Sequence, residues 1–212
     1  MDNLFRYVIL IPCVLISLPV HEYAHAWMAD KLGDPTARNL GRMTLNPLRH
    51  IDPIGIICMI LLGFGWAKPV PVNSRYFGKP RRDMALVSLA GPVSNLLLAL
   101  IGTLILRTVQ IFASDTVTFV AAQTFFINFA YLNISLAVFN LIPVPPLDGS
   151  RLFFIFLPVK WYFGMMKYER YVQIALYLLL ILGAFTNVIG NVAGFLFNCM
   201  YLGVDAIFGI FI

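Results

Sequence analysis

Tyr7-Val-Ile-Leu-Ile-Pro-Cys-Val-Leu-Ile-Ser-Leu-Pro-Val20-His21-Glu22-Tyr23-Ala24-His25 is the stretch from which the rest of the chain can be read. An apolar run, Tyr7 to Val20, leads directly into the pattern HExxH. On a helix, positions i and i+4 share a face, so His21 and His25 stand side by side. Two imidazoles on one face suit a zinc ion, and Glu22, next to the first of them, can reach a water beside that ion. A short pattern can arise by chance. Against chance, it uses two of the three histidines in the chain. It also puts ionisable groups in a segment that reads as lipid-buried, where they are costly and mark function.

Composition agrees with the membrane reading. The chain has 212 residues, 60% of them hydrophobic and 12% charged, with a mean hydropathy of +0.83. These values lie far from those of a soluble globular domain. They predict an integral membrane protein of several spans, read as an all-α polytopic membrane helical bundle of about five to six spans with a small re-entrant or β-strand element, in a single domain over residues 1–212. A core is expected at about 4–158, with two further spans at about 171–212. The net charge of +5 is read as basic cytoplasmic loops rather than nucleic-acid binding, since no aromatic-interleaved basic patch is present. Cys13, Cys58 and Cys199 are far apart and form no CxxC, so they read as buried small residues. The N-terminal apolar run carries the motif and is therefore read as a retained first helix rather than a signal peptide.

The remaining spans are expected at 84–106, 119–142, 171–185 and 191–212, after a first at 4–30 in which Pro12 and Pro19 are candidate kinks. Gly33-Asp34-Pro35 is a helix stop. Residues 51–66 are apolar but short, glycine-bearing and basic on both flanks, so they are expected to dip into the bilayer and return. Val70-Pro71-Val72-Asn73 reads as extended chain. If segments 31–50, 67–83 and 160–170 are cytoplasmic, they hold 12 Lys and Arg against 2 (Arg6 and Arg107) on the other side. That puts the N-terminus outside and the C-terminus in the cytoplasm.

A catalytic zinc needs a third protein ligand and an open position. Asp148 is the only carboxylate between residues 116 and 168. It follows the proline-broken stretch Pro143-Val144-Pro145-Pro146, and the bland alternative is that it caps a helix starting near Ser150. Depth favours the ligand. His25 lies roughly 9 Å and His21 roughly 15 Å above Lys31 at helical rise, and Asp148 about 18 Å from Lys160 if that segment is helical. All three fall at similar depth from one face.

Together, HExxH in a first span and Asn140-Leu-Ile-Pro143-Val-Pro-Pro-Leu147-Asp148-Gly149 resemble the motifs of the site-2 proteases, intramembrane zinc metalloproteases. Gly91-Pro92-Val93-Ser94-Asn95 is similar to the family's GPxxN element. Gly65-Trp66-Ala67-Lys68-Pro69-Val70-Pro71-Val72-Asn73 resembles its membrane-associated strand region. The likeness covers about 5–155, in a compact form without a PDZ domain. It implies one Zn²⁺ per chain on His21, His25 and Asp148, with Glu22 as general base and Asn140 in a supporting catalytic role. It implies transmembrane segments of membrane proteins as substrates, with Gly65, Trp66, Val70, Val72 and Asn73 as the substrate-binding strand. The expected setting is a prokaryotic plasma membrane, with the active site nearer the cytoplasmic side; oligomeric state is left open. By themselves, Asn140 and Asn95 read as interhelical hydrogen-bond or packing residues. His50, close to Asp52, reads as a structural loop histidine or a support for the metal site.

Three rival readings remain at this point. A metal transporter would use the buried ligands but give Glu22 no duty. A silent scaffold would recruit single-span proteins without cutting them. A surface protease of soluble peptides is disfavoured by the depth of the motif.

Overall fold

The structure, a computed structural model, describes residues 2–53, 55, 67–112, 117–156 and 159–211. Among these there are seven α-helices, two short 3-10 turns and no strand. They are α1 (Asp2–Lys31), α2 (Thr36–Asn39), α3 (Pro80–Phe112), α4 (Val117–Asn140), α5 (Asp148–Phe153), α6 (Val159–Ile181) and α7 (Thr186–Phe211). The chain is an all-α bundle and an integral membrane protein. Four helices are long and apolar enough to cross a bilayer: Val8–Lys31 of α1, Pro80–Phe112, Val117–Asn140 and Thr186–Ile210.

These four coincide with expected spans, with α3 extended by a basic first turn. The span expected at 171–185 differs. It merges with the polar connection before it into the single helix α6, whose apolar part is the shorter stretch Arg170–Leu180. The reason is composition. Lys160, Lys167, Glu169 and Arg170 are all compatible with helix, so nothing breaks the chain before Tyr171.

α1 runs unbroken through Pro12 and Pro19. α3 packs against both α1 and α4, and α4 against α7. Small residues allow the close approaches. Ala99, Ala130 and Ala193 are fully buried around Ile134, as van der Waals packing between apolar helices requires. Arg107 of α3 pairs with Asp205 of α7 at 2.5 Å and Tyr201 with Gln110, so the C-terminal end of α7 lies at the end of the bundle away from the basic first turn of α3, and not on the cytoplasmic side as the charge count predicts. Cys13 is buried, but Cys199 lies on the exposed face of α7. A span's outer face is apolar because lipid covers it, so apolarity did not distinguish the two positions. Cys58 lies outside the described residues.

Most of the expected re-entrant segment, 54 and 56–66, also lies outside the described residues. Its two ends meet in an isolated antiparallel bridge between Ile51 and Ala67, and the Lys68 N–H donates to His50 O at 2.8 Å. Ala67–Asn73 then runs without helix into a short 3-10 turn, Ser74–Tyr76, capped by the Asn73 side chain.

Candidate functional site

His21 and His25 project from α1 towards α3, and both are buried. His25 Nδ1 lies 2.7 Å from Val87 O. A carbonyl can only accept, so Nδ1 carries the proton and Nε2 keeps its lone pair, as a metal ligand needs. Pro92 removes one helical hydrogen bond of α3 at this level. Gly91 makes room for the rings. A Cβ there would lie 2.5 Å from His21 Cε1 and 2.5 Å from His25 Nε2.

Asp148 arrives from the far end of α4. The chain leaves Asn140 through tight backbone turns, Val144 N–H to Ile142 O at 2.8 Å and Leu147 N–H to Val144 O at 2.9 Å, with Pro145–Pro146 in the cis form. Helix α5 begins at Asp148 itself, and the cap position is Leu147, with no side-chain cap bond. The capping role weighed for Asp148 is therefore not the one found. Its carboxylate is turned instead to the imidazoles, with Oδ2 at 3.3 Å from His21 Nε2 and 3.2 Å from His25 Nε2. The two Nε2 atoms are 3.0 Å apart.

This donor set fits zinc. Tetrahedral ligands at bond lengths of about 2.0–2.1 Å lie about 3.4 Å from one another, close to the spacings above. Asp148 Oδ2 is buried and makes no hydrogen bond, although buried oxygens are normally satisfied. An anionic oxygen and the bare Nε2 of His25, facing one point beside a third donor atom, repel unless a cation lies among them. These three residues form the group able to hold a metal among the described residues.

A cavity of about 150 Å³ opens onto the cluster, lined in part by Glu22, Val70, Val72, Ser88, Asn140 and Arg151. Glu22 Oε2 accepts the Val70 N–H at 2.8 Å. Asn140 is on the cavity wall, and its amide donates to Leu136 O of its own helix at 3.0 Å. Asn73 is not among the lining residues. Its N–H goes to Asp34 Oδ2 at 2.6 Å. Gly65 and Trp66 lie outside the described residues. His50 is buried and is not among the cavity-lining residues, and its Nε2 donates to Thr44 O at 2.8 Å. Asn95 is fully buried on α3, one helical turn past Gly91.

Sequence reading missed two contributors. Val87 acts through its backbone carbonyl, which leaves no trace in residue type. Asp34, read only as part of a helix stop, is fully buried and accepts from Thr36 N–H at 3.0 Å as well as from Asn73. The Asp-Pro-Thr order, which favours side-chain turns onto backbone N–H groups, was the available signal.

Comparison with known proteins gives a family and several relatives. Residues 9–186 match the profile of peptidase family M50. The chain is 44% identical over 164 residues to YwhC of Bacillus subtilis, described as a candidate zinc metalloprotease, covering 76% of this chain and 75% of that one. It is 34% identical over 149 residues to Rip2 of Mycobacterium tuberculosis, described in the same terms. The Rip2 of Mycolicibacterium smegmatis is 31% identical over 148 residues. Each Rip2 match covers 68% of this chain and 55% of the relative, so the chain spans little more than half of those proteins. No solved structure gives a significant match.

Proposed function

The chain belongs to peptidase family M50, the site-2 proteases, and is a zinc metalloprotease; from that premise we propose that it is an intramembrane endopeptidase cutting membrane-anchored proteins in or near their transmembrane helices. The observation that carries this reading is the convergence of two imidazoles and one carboxylate on a point partway along the spanning helix α1.

In this reading His21, His25 and Asp148 hold the ion. When bound, zinc supplies a Lewis acid that polarises a peptide carbonyl and lowers the pKa of water to about 7. Glu22 takes the proton of the attacking water on its carboxylate and passes it to the leaving amide nitrogen. Asn140, once its amide turns from Leu136 O into the cavity, donates to the oxyanion that develops on the carbonyl. A transmembrane helix hides its carbonyls in i to i−4 bonds, and lipid offers no replacement partners for an unwound segment. Residues 67–73 supply those partners by pairing with the extended substrate.

The basic segments 31–50, 67–83 and 160–170 support a cytoplasmic placement of that side of the bundle, so that water reaches the site from the cytoplasm. A bacterial plasma membrane is the proposed setting, in keeping with the bacterial relatives.

The test uses zinc-loaded protein in liposomes with a library of single-span peptides, read by mass spectrometry. Cuts within or beside the apolar segment are expected, and Glu22→Gln protein should make none. Equal fragment yields from both proteins, or cuts confined to soluble peptides, would sink the reading.

A further inference from the structure

Between Lys68 and Asn73 the backbone carries two N–H groups, those of Val70 and Val72, because residues 69 and 71 are prolines. The prolines favour extended chain here, and in a strand donors two residues apart share one edge while the prolines leave the other edge short of donors. Lys68 N–H belongs to the same edge and is taken by His50 O at 2.8 Å. Only this edge can pair with a further strand, and Val70 on it is engaged with Glu22 Oε2 at 2.8 Å.

The segment is held in place at both ends. Arg42 Nη2 donates to Lys68 O at 2.9 Å and to Pro69 O at 3.3 Å. Asp34 takes the N–H of Asn73. The Val70 side chain is buried with Ala26 and Ala37. Its N–H is therefore fixed in direction, towards the site. A carboxylate oxygen at hydrogen-bond distance occupies the place where the carbonyl oxygen of a paired strand would sit.

We propose that Glu22 stands in for a substrate carbonyl on the Val70 N–H, so that an extended substrate pairing with Val70 displaces the carboxylate and frees it as general base. The proposal rests on the functional reading above and deepens it. Oε2 of the base is held by the strand, which sets where the carboxylate lies. A peptide still in helix has its carbonyls internally bonded and cannot release it, while an unwound one can. Activation of Glu22 is thereby linked to the unwinding that cleavage requires.

The linkage can be tested by amide hydrogen exchange at Val70 in the full-length zinc-loaded chain, with and without a single-span peptide that the wild-type protein cuts. Val70 is expected to be protected in wild type and in Glu22→Gln, whose amide oxygen still accepts. Exchange should be at least about tenfold faster in Glu22→Ala, and saturating peptide should restore protection there. Zinc content and helical circular dichroism equal to wild type check the fold. Unchanged protection in the empty Glu22→Ala protein would overturn the proposal, as would fast exchange with peptide bound.

A second measurement stands apart from that variant. The chain has two glutamates, Glu22 and Glu169, so carboxyl-labelled glutamate gives two carbon signals. Val70→Pro, between two existing prolines, removes the donor and should move the Glu22 signal in the empty protein while leaving that of Glu169 in place. A stationary Glu22 signal overturns the proposal. If the wild type cuts no peptide, the functional reading falls and takes this proposal with it. If it cuts and Val70 gains no protection from peptide in Glu22→Ala, the proposal alone falls.

Discussion

Gly91 lies against the two imidazoles so closely that a methyl group on it would sit 2.5 Å from His21 Cε1 and from His25 Nε2. Neither ring can easily retreat. His25 is tied to Val87 O at 2.7 Å, and both histidines are buried on one face of α1. Gly91→Ala should therefore disturb the ligands rather than the bundle. Overpacking costs about 1–3 kcal/mol, which applied to the bound state is about a five- to 150-fold loss of zinc affinity. Competition with a chelator of known affinity measures it, and unchanged affinity would show that the rings have another place to go.

Much of this centre can be read from the sequence because its chemistry resides in side chains at fixed spacings. His21 and His25 are four apart on a helix, and the stretch before Asp148 cannot be helical. The apolar runs that locate α1, α3, α4 and α7 are similarly plain. What escaped depends on tertiary approach. Gly91 meets rings 66 and 70 positions earlier in the chain, and a glycine in a span reads equally as helix packing. The merging of 160–170 into α6 escaped for another reason, since charged residues in a loop and on a helix have the same composition.

Gly149 is the second crowded glycine, and its neighbours are backbone. A Cβ would lie 2.2 Å from Leu141 O and 2.6 Å from Ile142 O, so the turn after α4 must open to admit one. Asp148, the residue before, moves with it. Gly149→Ala should lower both zinc affinity and thermal stability, whereas Gly91→Ala should lower mainly the first. Parallel melting and zinc titrations separate the two. Full stability in Gly149→Ala would mean that the turn relaxes without loss.

Glu22→Gln should slow cleavage steeply and spare the metal. Glu22 is outside the three-donor cluster, and a glutamine oxygen can still take the Val70 N–H, so binding and fold are kept. Proton transfer by a placed side chain contributes about 10²–10⁴-fold, and turnover should fall by that factor. Zinc content by elemental analysis, set beside the rate of peptide cleavage, gives the answer. Cleavage at the wild-type rate would remove Glu22 from the role of base.

Asp34 bears on the strand rather than the metal. It is fully buried and accepts the N–H groups of Asn73 at 2.6 Å and Thr36 at 3.0 Å, together with the Thr36 hydroxyl. Asp34→Ala leaves those donors, in partly buried surroundings, without that acceptor. A buried unsatisfied group costs about 1–3 kcal/mol, so the melting temperature should drop. The catalytic signature should be specific: with the Asn73 end of the strand released, Val70 and Val72 are less well placed to pair with substrate, and KM should rise more than kcat falls. Zinc affinity should hold, because His21, His25 and Asp148 are anchored by α1, α3 and α5. Steady-state kinetics on a single-span peptide, with zinc content measured on the same sample, distinguishes these effects. A variant that lost zinc but kept its KM would show that Asp34 supports the metal centre and not the strand.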